Sequence, residues 1–295
     1  MIAVDLRGDG NSPRATHSFG LEDLPGALHE SMAALLDPEE KVVVLLGHSL
    51  GALAALEFCR EHVGIVEKLL VEEPPGFESI DFDGISRGVE ANVARAKEAP
   101  KANKREQLEE NPSLSEGDSL ANVESLRDCD AEPVAAMVRN GLHYGLATLV
   151  GSVEVPALLV MGSETRGSTL PKPEGTTVAD ALHRGTVETS NAGHGVHRDD
   201  FEGYVRLLSN WLDRTEAPEK RASPHQTCVA MLKAIRSTCS NGGNTWRDYL
   251  EANLCPVRRF GQPRTRRRTA PPRRRAGGAL HSRLRGAERS GGADR

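Results

Sequence analysis

The sequence feature that most restricts the fold is a turn at Ser49. An apolar run, KVVVLL, ends there in GHSLG, and an alanine-rich run, ALAALEFC, follows at once. The first run is typical of a buried strand and the second of a helix. Because Gly47 and Gly51 lack Cβ atoms, a strand and a helix can pack closely on either side of the serine. The pattern predicts a strand, a sharp turn that presents Ser49, and a helix whose free N–H groups face the space in front of it.

The rest of the first 214 residues alternates between strand-like and helix-like segments. Strands are predicted at Ile2–Leu6, Val42–Leu46, Val66–Val71, Val155–Met161 and Thr186–Ser190. Helices are predicted at 20–36, from Ser49 to about His62, at Val178–Leu182, and at Phe201–Leu212. Such alternation is typical of an α/β fold, in which helices cover both faces of a parallel sheet.

Changes in composition divide the chain into five parts. Residues 1–76 and 153–214 carry the α/β pattern, and residues 77–152 between them are predicted to form an inserted helical segment, or cap. Residues 215–257 are predicted to be a weakly structured helical extension, because the apolar residues of 228–255 suit one or two short helices. Residues 258–295 contain 13 arginines and two acidic residues, a net charge of +11 that leaves −16 for the remainder. A segment of this composition is expected to be disordered.

The composition of the whole chain argues against several protein classes. Hydrophobic residues make up 38% and charged residues 27% of the 295 positions, and no apolar run approaches the ~20 residues that cross a bilayer. The segment Met1–Asp5 has no basic flank, so no secretion signal is expected. Five cysteines without a Cys-x-x-Cys pair indicate reduced thiols. Together these features predict a cytoplasmic protein.

Four segments resemble those of the α/β-hydrolase superfamily, and they stand in that family's order. They are Asp5–Ser12 (DLRGDGNS), Gly47–Gly51 (GHSLG), Pro156–Gly162 (PALLVMG) and Ala192–Gly195 (AGHG). The resemblance covers about residues 1–213 and is not specific to one substrate. It implies a mostly parallel, eight-stranded sheet with a helical cap, and a serine, an acid and a histidine that act together in that chain order.

The beginning of the chain departs from the family pattern. Its first strand resembles the fourth strand of that fold, so the sequence is interpreted as an N-terminally truncated member. The missing third strand would lie beside the strand that carries Ser49, which predicts a gap in the middle of the sheet. The loop that supplies the family's second oxyanion donor is also absent, so activity is expected to be compromised.

Ser49 and His194 are the predicted catalytic pair. A serine hydroxyl needs a neighbouring base to take its proton, and His194 stands on a glycine-flanked loop between the last strand and the last helix. His197 is the rival base and is interpreted as solvent-facing, and His48 is expected to pack beside the turn. The backbone N–H of Leu50 is the predicted oxyanion donor. No metal site is predicted, because the spacing of these histidines with Asp199 and Asp200 matches no zinc pattern.

The acid that would orient His194 has more than one candidate. Glu164 is the first choice, since it lies just after the Val155–Met161 strand, although Thr165 occupies the position usual for the acid. Glu73, which follows the Val66–Val71 strand, is the alternative. Glu72 is expected to point to the other side of that strand. A carboxylate is required at this place because it fixes the imidazole tautomer and stabilises the imidazolium.

These features predict a serine hydrolase that cleaves an ester or related acyl bond of a small organic molecule and needs no cofactor. The alternative is a catalytically impaired or inactive hydrolase fragment whose basic tail binds polyanions. The tail has few aromatic residues for base stacking, which argues against nucleic acid as a partner. The sequence indicates no membrane partner and leaves the oligomeric state open.

Overall fold

A computed structural model of the chain describes residues 2–10, 12–15, 19–36, 42–77, 81–111, 114–140, 145–215 and 229–233. The chain divides into two units, Met1–Gly261 and Gln262–Arg295, and all described residues belong to the first. The predicted tail at 258–295 and most of the predicted extension at 215–257 lie outside the described residues.

The elements occur in the order expected of an α/β fold. The strands are β1 (Ile2–Asp5), β2 (Val42–His48), β3 (Val66–Glu72), β4 (Ala157–Met161), β5 (Gly185–Thr189) and β6 (Val229–Lys233). The helices are α1 (Leu24–Leu35), α2 (Leu50–Glu61), α3 (Phe82–Glu98), α4 (Pro100–Glu110), α5 (Glu116–Arg127), α6 (Ala131–Asn140), α7 (Leu146–Gly151), α8 (Lys172–Ala181), α9 (Val196–Asp199) and α10 (Phe201–Thr215). Short 3₁₀ turns occupy Leu21–Asp23 and Glu164–Arg166.

The described strands form one parallel sheet in the order β1-β6-β2-β3-β4-β5. The pairing of β2 with β3 places His48 opposite Glu72, so these residues lie together at the carboxyl edge of the sheet. Ligands of open parallel sheets bind outside this edge. The prediction of a parallel α/β fold is confirmed.

Strand β6 corrects two sequence predictions. Residues 229–233 form a strand where a helix is predicted, and this strand fills the expected gap between β1 and β2. In the register, Leu232 lies opposite Val4 on one side and Gly47 on the other. Short apolar runs such as VAMLK suit a strand and a helix equally well. For residues 229–233, pairing with β1 and β2, more than 180 positions earlier in the chain, favours the strand.

Side chains on alternate positions of the strands reach two separate apolar layers. Leu69 and Val71 of β3 belong to the layer that also contains α1, α2 and the inserted helices, whereas Leu70 belongs to the layer formed with α10. Tyr204 and Trp211 of α10 are among the largest buried side chains in that second layer. The sheet is therefore covered on both faces, as the sequence pattern predicts.

Helices α3 to α7 form the insertion between β3 and β4. Within it, Ser86 of α3 donates a hydrogen bond of 2.7 Å to the carbonyl oxygen of Ala135 in α6. The insertion also contacts the loop that follows β1, where the Asp130 N–H donates to the Gly8 carbonyl at 2.9 Å. The segment is helical as predicted. Among the described residues, no helix combines the length and apolarity that a membrane span requires.

Candidate active site

Ser49 occupies a strained turn between β2 and α2. Its φ and ψ angles are 54° and −122°, a conformation that costs an ordinary residue about 1–3 kcal/mol. A Cβ atom at Gly47 would lie 2.2 Å from the Gly51 carbonyl oxygen, so only glycine allows this approach of strand and helix. The Ser49 N–H donates to the Glu72 carbonyl at 3.0 Å, which holds the turn against the end of β3.

The first N–H group of α2 belongs to Leu50, the residue after the serine. Among the described residues, this group donates no hydrogen bond. The N-terminal end of a helix carries a partial positive charge. The Leu50 amide is therefore available to a developing negative charge beside Ser49.

Glu72 is the last residue of strand β3 and Glu73 follows it, and both are completely buried. Glu73 has a φ of 48°; it and Ser49 are the two non-glycine residues with positive φ in the described part of the chain. The Glu73 carboxylate accepts hydrogen bonds from Gly162 N–H at 2.5 Å, Ser168 Oγ at 2.9 Å and Thr169 N–H at 3.0 Å. Strained residues that survive in such surroundings often mark functional sites.

The same carboxylate faces His194. Oε2 of Glu73 lies 3.4 Å from Nδ1 of His194, and Oγ1 of Thr169 lies 3.0 Å from that nitrogen. A carboxylate can only accept, so this arrangement favours the tautomer with the proton on Nδ1 and leaves Nε2 as an acceptor. The His194 side chain is 30% exposed, in contrast to the fully buried Glu73.

The residue that precedes Ser49 contacts His194. Nε2 of His48 lies 2.8 Å from the His194 carbonyl oxygen, and the two rings are tilted with centroids 4.7 Å apart. No hydrogen bond joins the Ser49 hydroxyl to His194 in the described part of the structure. Hydrogen bonds of catalytic pairs are often long without substrate and shorten in the complex.

Glu164, the first choice for the acid, is exposed in the 3₁₀ turn after β4. In the part of the chain that the structure covers, its carboxylate has no hydrogen-bond or ion-pair partner. The carboxylate that reaches His194 is that of the alternative, Glu73. The positive φ of Glu73 turns the chain at the end of β3, and the sequence does not reveal this change of direction.

His197 is buried, with 6% of its surface exposed, which corrects the interpretation of it as solvent-facing. Its backbone N–H donates to Glu72 Oε1 at 2.9 Å, and its ring Nδ1 lies 2.8 Å from the same oxygen. Burial alone would raise the pKa of Glu72, but the rings of His197 and His48 and the His197 hydrogen bonds outweigh it and lower that pKa to about 2. Glu72 is therefore an ionised group inside the protein.

Glu72, His48 and His197 together have the composition of a metal site. One candidate ligand atom from each lies within 4.8 Å of the others. Two histidines and a carboxylate can hold a transition metal. Here Nδ1 of His197 already contacts Glu72, and Nε2 of His48 contacts the His194 carbonyl. The geometry is that of a hydrogen-bonded cluster.

Two polar residues of this site have roles that were not predicted from the sequence. Ser168 and Thr169 hold Glu73, and Thr169 also contacts His194; no motif in the sequence singles them out. The hydrogen bonds between Glu72 and His197 were not predicted either. The spacing of His194 and His197 hinted at a second functional histidine but not at its partner.

Comparisons with known proteins agree with the α/β fold. A family model described as "Alpha/beta hydrolase family" matches residues 1–207. A search of curated proteins finds no match. Several solved structures share the fold at low sequence identity. E-2-(acetamidomethylene)succinate hydrolase is 18% identical with a TM-score of 0.58, and the match covers 71% of this chain and 80% of that one.

Two esterases give similar values. An esterase from Exiguobacterium antarcticum is 19% identical, with a TM-score of 0.54 and coverage of 71% and 80% of the two chains. A thermophilic esterase from Thermogutta terrifontis, solved with malate bound, is 19% identical, with a TM-score of 0.57 and coverage of 72% and 79%. Since the family model spans well over half of the sequence, the chain belongs to the alpha/beta hydrolase family.

Proposed function

We propose that this protein is a serine hydrolase that cleaves an ester or related acyl bond of a small organic molecule. The observation that carries the proposal is the buried Glu73 carboxylate facing Nδ1 of His194, whose carbonyl contacts the residue before the strained Ser49. The two esterases with the same fold support the choice of an acyl bond.

In the first half of the reaction, Ser49 Oγ attacks the carbonyl carbon of the substrate and passes its proton to Nε2 of His194. The carbonyl oxygen becomes an oxyanion that accepts a hydrogen bond from the Leu50 amide. The bond to the leaving group then breaks, and His194 gives its proton to the departing oxygen. The products are an alcohol and an acyl group bound to Ser49.

In the second half, water attacks the acyl group and gives a proton to His194. The intermediate collapses, the bond to Ser49 Oγ breaks, and the proton returns from His194 to the serine. The carboxylic acid leaves. Throughout, Glu73 holds the Nδ1 proton of His194 and offsets the positive charge that the ring acquires.

The inserted helices between Phe82 and Gly151 are proposed to cover this site and to select the substrate. They begin nine residues after Glu73, and Asp130 binds the loop that follows β1. Loops and insertions at the carboxyl edge of a parallel sheet commonly carry specificity. The chemical class of substrate follows from the triad, and its size and polarity follow from these helices.

The test is covalent labelling of the full-length chain with a fluorophosphonate, which reacts with activated serines. Labelling is expected at Ser49 and is expected to disappear in Ser49→Ala and to fall sharply in His194→Ala. Hydrolysis of p-nitrophenyl acetate by the same proteins measures turnover. No labelling, together with salt-sensitive retention of the chain on heparin, would instead favour an inactive protein with a polyanion-binding tail.

A further inference from the structure

We infer that Glu72, with His197 and His48, is a positioning device that holds the loop of His194 against the turn of Ser49. The inference rests on the proposed function and adds to it residues that do not touch the substrate. We call these three side chains the Glu72 cluster.

Glu72 holds both halves of the site with different atoms. Its backbone carbonyl accepts the Ser49 N–H at 3.0 Å. Its carboxylate accepts the His197 N–H at 2.9 Å and faces the His197 ring nitrogen Nδ1 at 2.8 Å. One residue therefore ties the serine turn to the segment that begins three positions after His194.

His48 supplies a second tie, directly to the backbone of His194. Nε2 of His48 lies 2.8 Å from the carbonyl oxygen of His194, and since a carbonyl only accepts, this nitrogen carries a proton. The His48 ring lies beside those of both His194 and His197, with centroids 4.7 and 4.9 Å away. Burial lowers the pKa of His48 to about 3, so the ring is neutral at pH 7 and the bond does not depend on its charge.

Because Glu72 is buried, its hydrogen bonds are expected to resist rearrangement. Glu72 is fully buried, and its carboxylate accepts hydrogen bonds from the backbone N–H and the ring of His197. A buried carboxylate that loses its donors must be rearranged or protonated, because it cannot turn to solvent. Displacing a catalytic group by 1 Å can cost about 10²-fold in rate. Loss of the His197 donor is therefore expected to act on His194 rather than on substrate binding.

The experiment is a double-mutant cycle that uses the rate of fluorophosphonate labelling at Ser49. His197→Leu, which removes the donor to Glu72, is made in the natural chain and in His194→Ala. We expect His197→Leu to lower the labelling rate about 10–100-fold in the natural chain and less than about threefold in His194→Ala. A residue that acts through His194 has no effect on the rate once His194 is gone. With p-nitrophenyl acetate, kcat is expected to fall while KM stays constant.

Two further variants separate positioning from stability. His197→Asn places an amide N–H where Nδ1 stands and is expected to restore the rate to within about threefold of the natural chain. Glu57→Gln disrupts another buried acid, which pairs with Arg60 at 2.8 Å in the last turns of α2. It is expected to lower the thermal midpoint and leave the labelling rate of the folded protein unchanged. If His197→Leu does not fold, Glu72→Gln replaces it, and the labelling rate is expected to fall about tenfold.

The outcomes distinguish this inference from the proposed function. Equal losses in both backgrounds, or an Asn variant as slow as the Leu variant, would overturn the positioning role while leaving the hydrolase intact. A natural chain that is not labelled at Ser49 would overturn both.

Discussion

The assignment of Glu73 as the acid leads to a prediction that can be worked out atom by atom. Glu73→Gln keeps the size of the side chain but replaces one acceptor oxygen by an NH₂ group. Oε1 now accepts from Gly162 and Ser168, while Oε2 accepts from Thr169 and faces His194. In either orientation, the new NH₂ group of Gln points at an N–H that the replaced oxygen had accepted from. An NH₂ group cannot accept that hydrogen bond, so at least one of the hydrogen bonds to the Glu73 carboxylate is lost.

A hydrogen bond to a charged group contributes about 1.5–3 kcal/mol, so Glu73→Gln is expected to lower the free energy of unfolding by about 2–3 kcal/mol. For a folded region of this size, that corresponds to a fall of roughly 5–10 °C in Tm. The effect on activity is expected to be larger. The Gln variant carries no charge to stabilise the His194 imidazolium, and with its NH₂ group toward Nδ1 it also favours the other tautomer; general-base catalysis typically contributes about 10²–10⁴-fold.

The assay compares the labelling rate and the kcat/KM for p-nitrophenyl acetate in three variants. Ser168→Ala removes one hydrogen bond from Glu73 without facing His194, so it is expected to lose about 1 kcal/mol of stability and little activity. Glu164→Gln, at an exposed site, is expected to match the natural chain in both respects. A folded Glu73→Gln variant with full activity, or an inactive Glu164→Gln variant, would refute the assignment.

Three other predictions concern the fold around the site. Ending the chain after Thr215 removes β6 from between β1 and β2 and is expected to abolish cooperative thermal unfolding. Ending the chain after Gly261 is expected to preserve cooperative unfolding. A chain that ends at Thr215 and is still stable would contradict this placement of β6. Gly47→Ala brings a Cβ to 2.2 Å from the Gly51 oxygen and is expected to cost about 3 kcal/mol or more in urea unfolding, and a neutral result would be incompatible with this turn. Burial raises the pKa of Asp9 from 3.8 to about 7, so the folded state binds the proton more tightly than the unfolded state does. The natural chain is therefore expected to lose ~4 kcal/mol of stability in total as pH rises from about 4 to 7. Asp9→Asn is expected to remove this loss, and parallel stability–pH curves for the two proteins would count against it.

The sequence predicts those parts of the molecule that local chemistry determines. The strand, the turn and the helix around Ser49 follow from apolar runs and two glycines that are adjacent in the chain, and the structure has β2 and α2 there. The alternation of β1, α1, β3 and β4 is predicted for the same reason. Helix α8 begins six residues earlier than predicted, at Lys172. The additional residues there are largely polar, and periodicity gives little signal for them.

The features that escaped prediction depend on contacts between distant residues. Whether Glu73 or Glu164 reaches His194 depends on a single positive φ at the end of β3. His197 looks like a surface residue because its buried partner, Glu72, stands 125 positions earlier. Strand β6 has an ambiguous local pattern, and only its pairing with β1 and β2 makes it a strand.

The position of β6 has a consequence for the order in which the protein can fold. Val229–Lys233 is the last of the described strands to leave the ribosome, yet it lies between the first two. Until it is synthesised, β1 and the strand leading to Ser49 cannot be joined in one sheet, so their facing edges stay open to other partners. Long-range parallel pairing of this kind is slow. The sheet from which the Ser49 turn projects is therefore complete only after residue 233 has been synthesised.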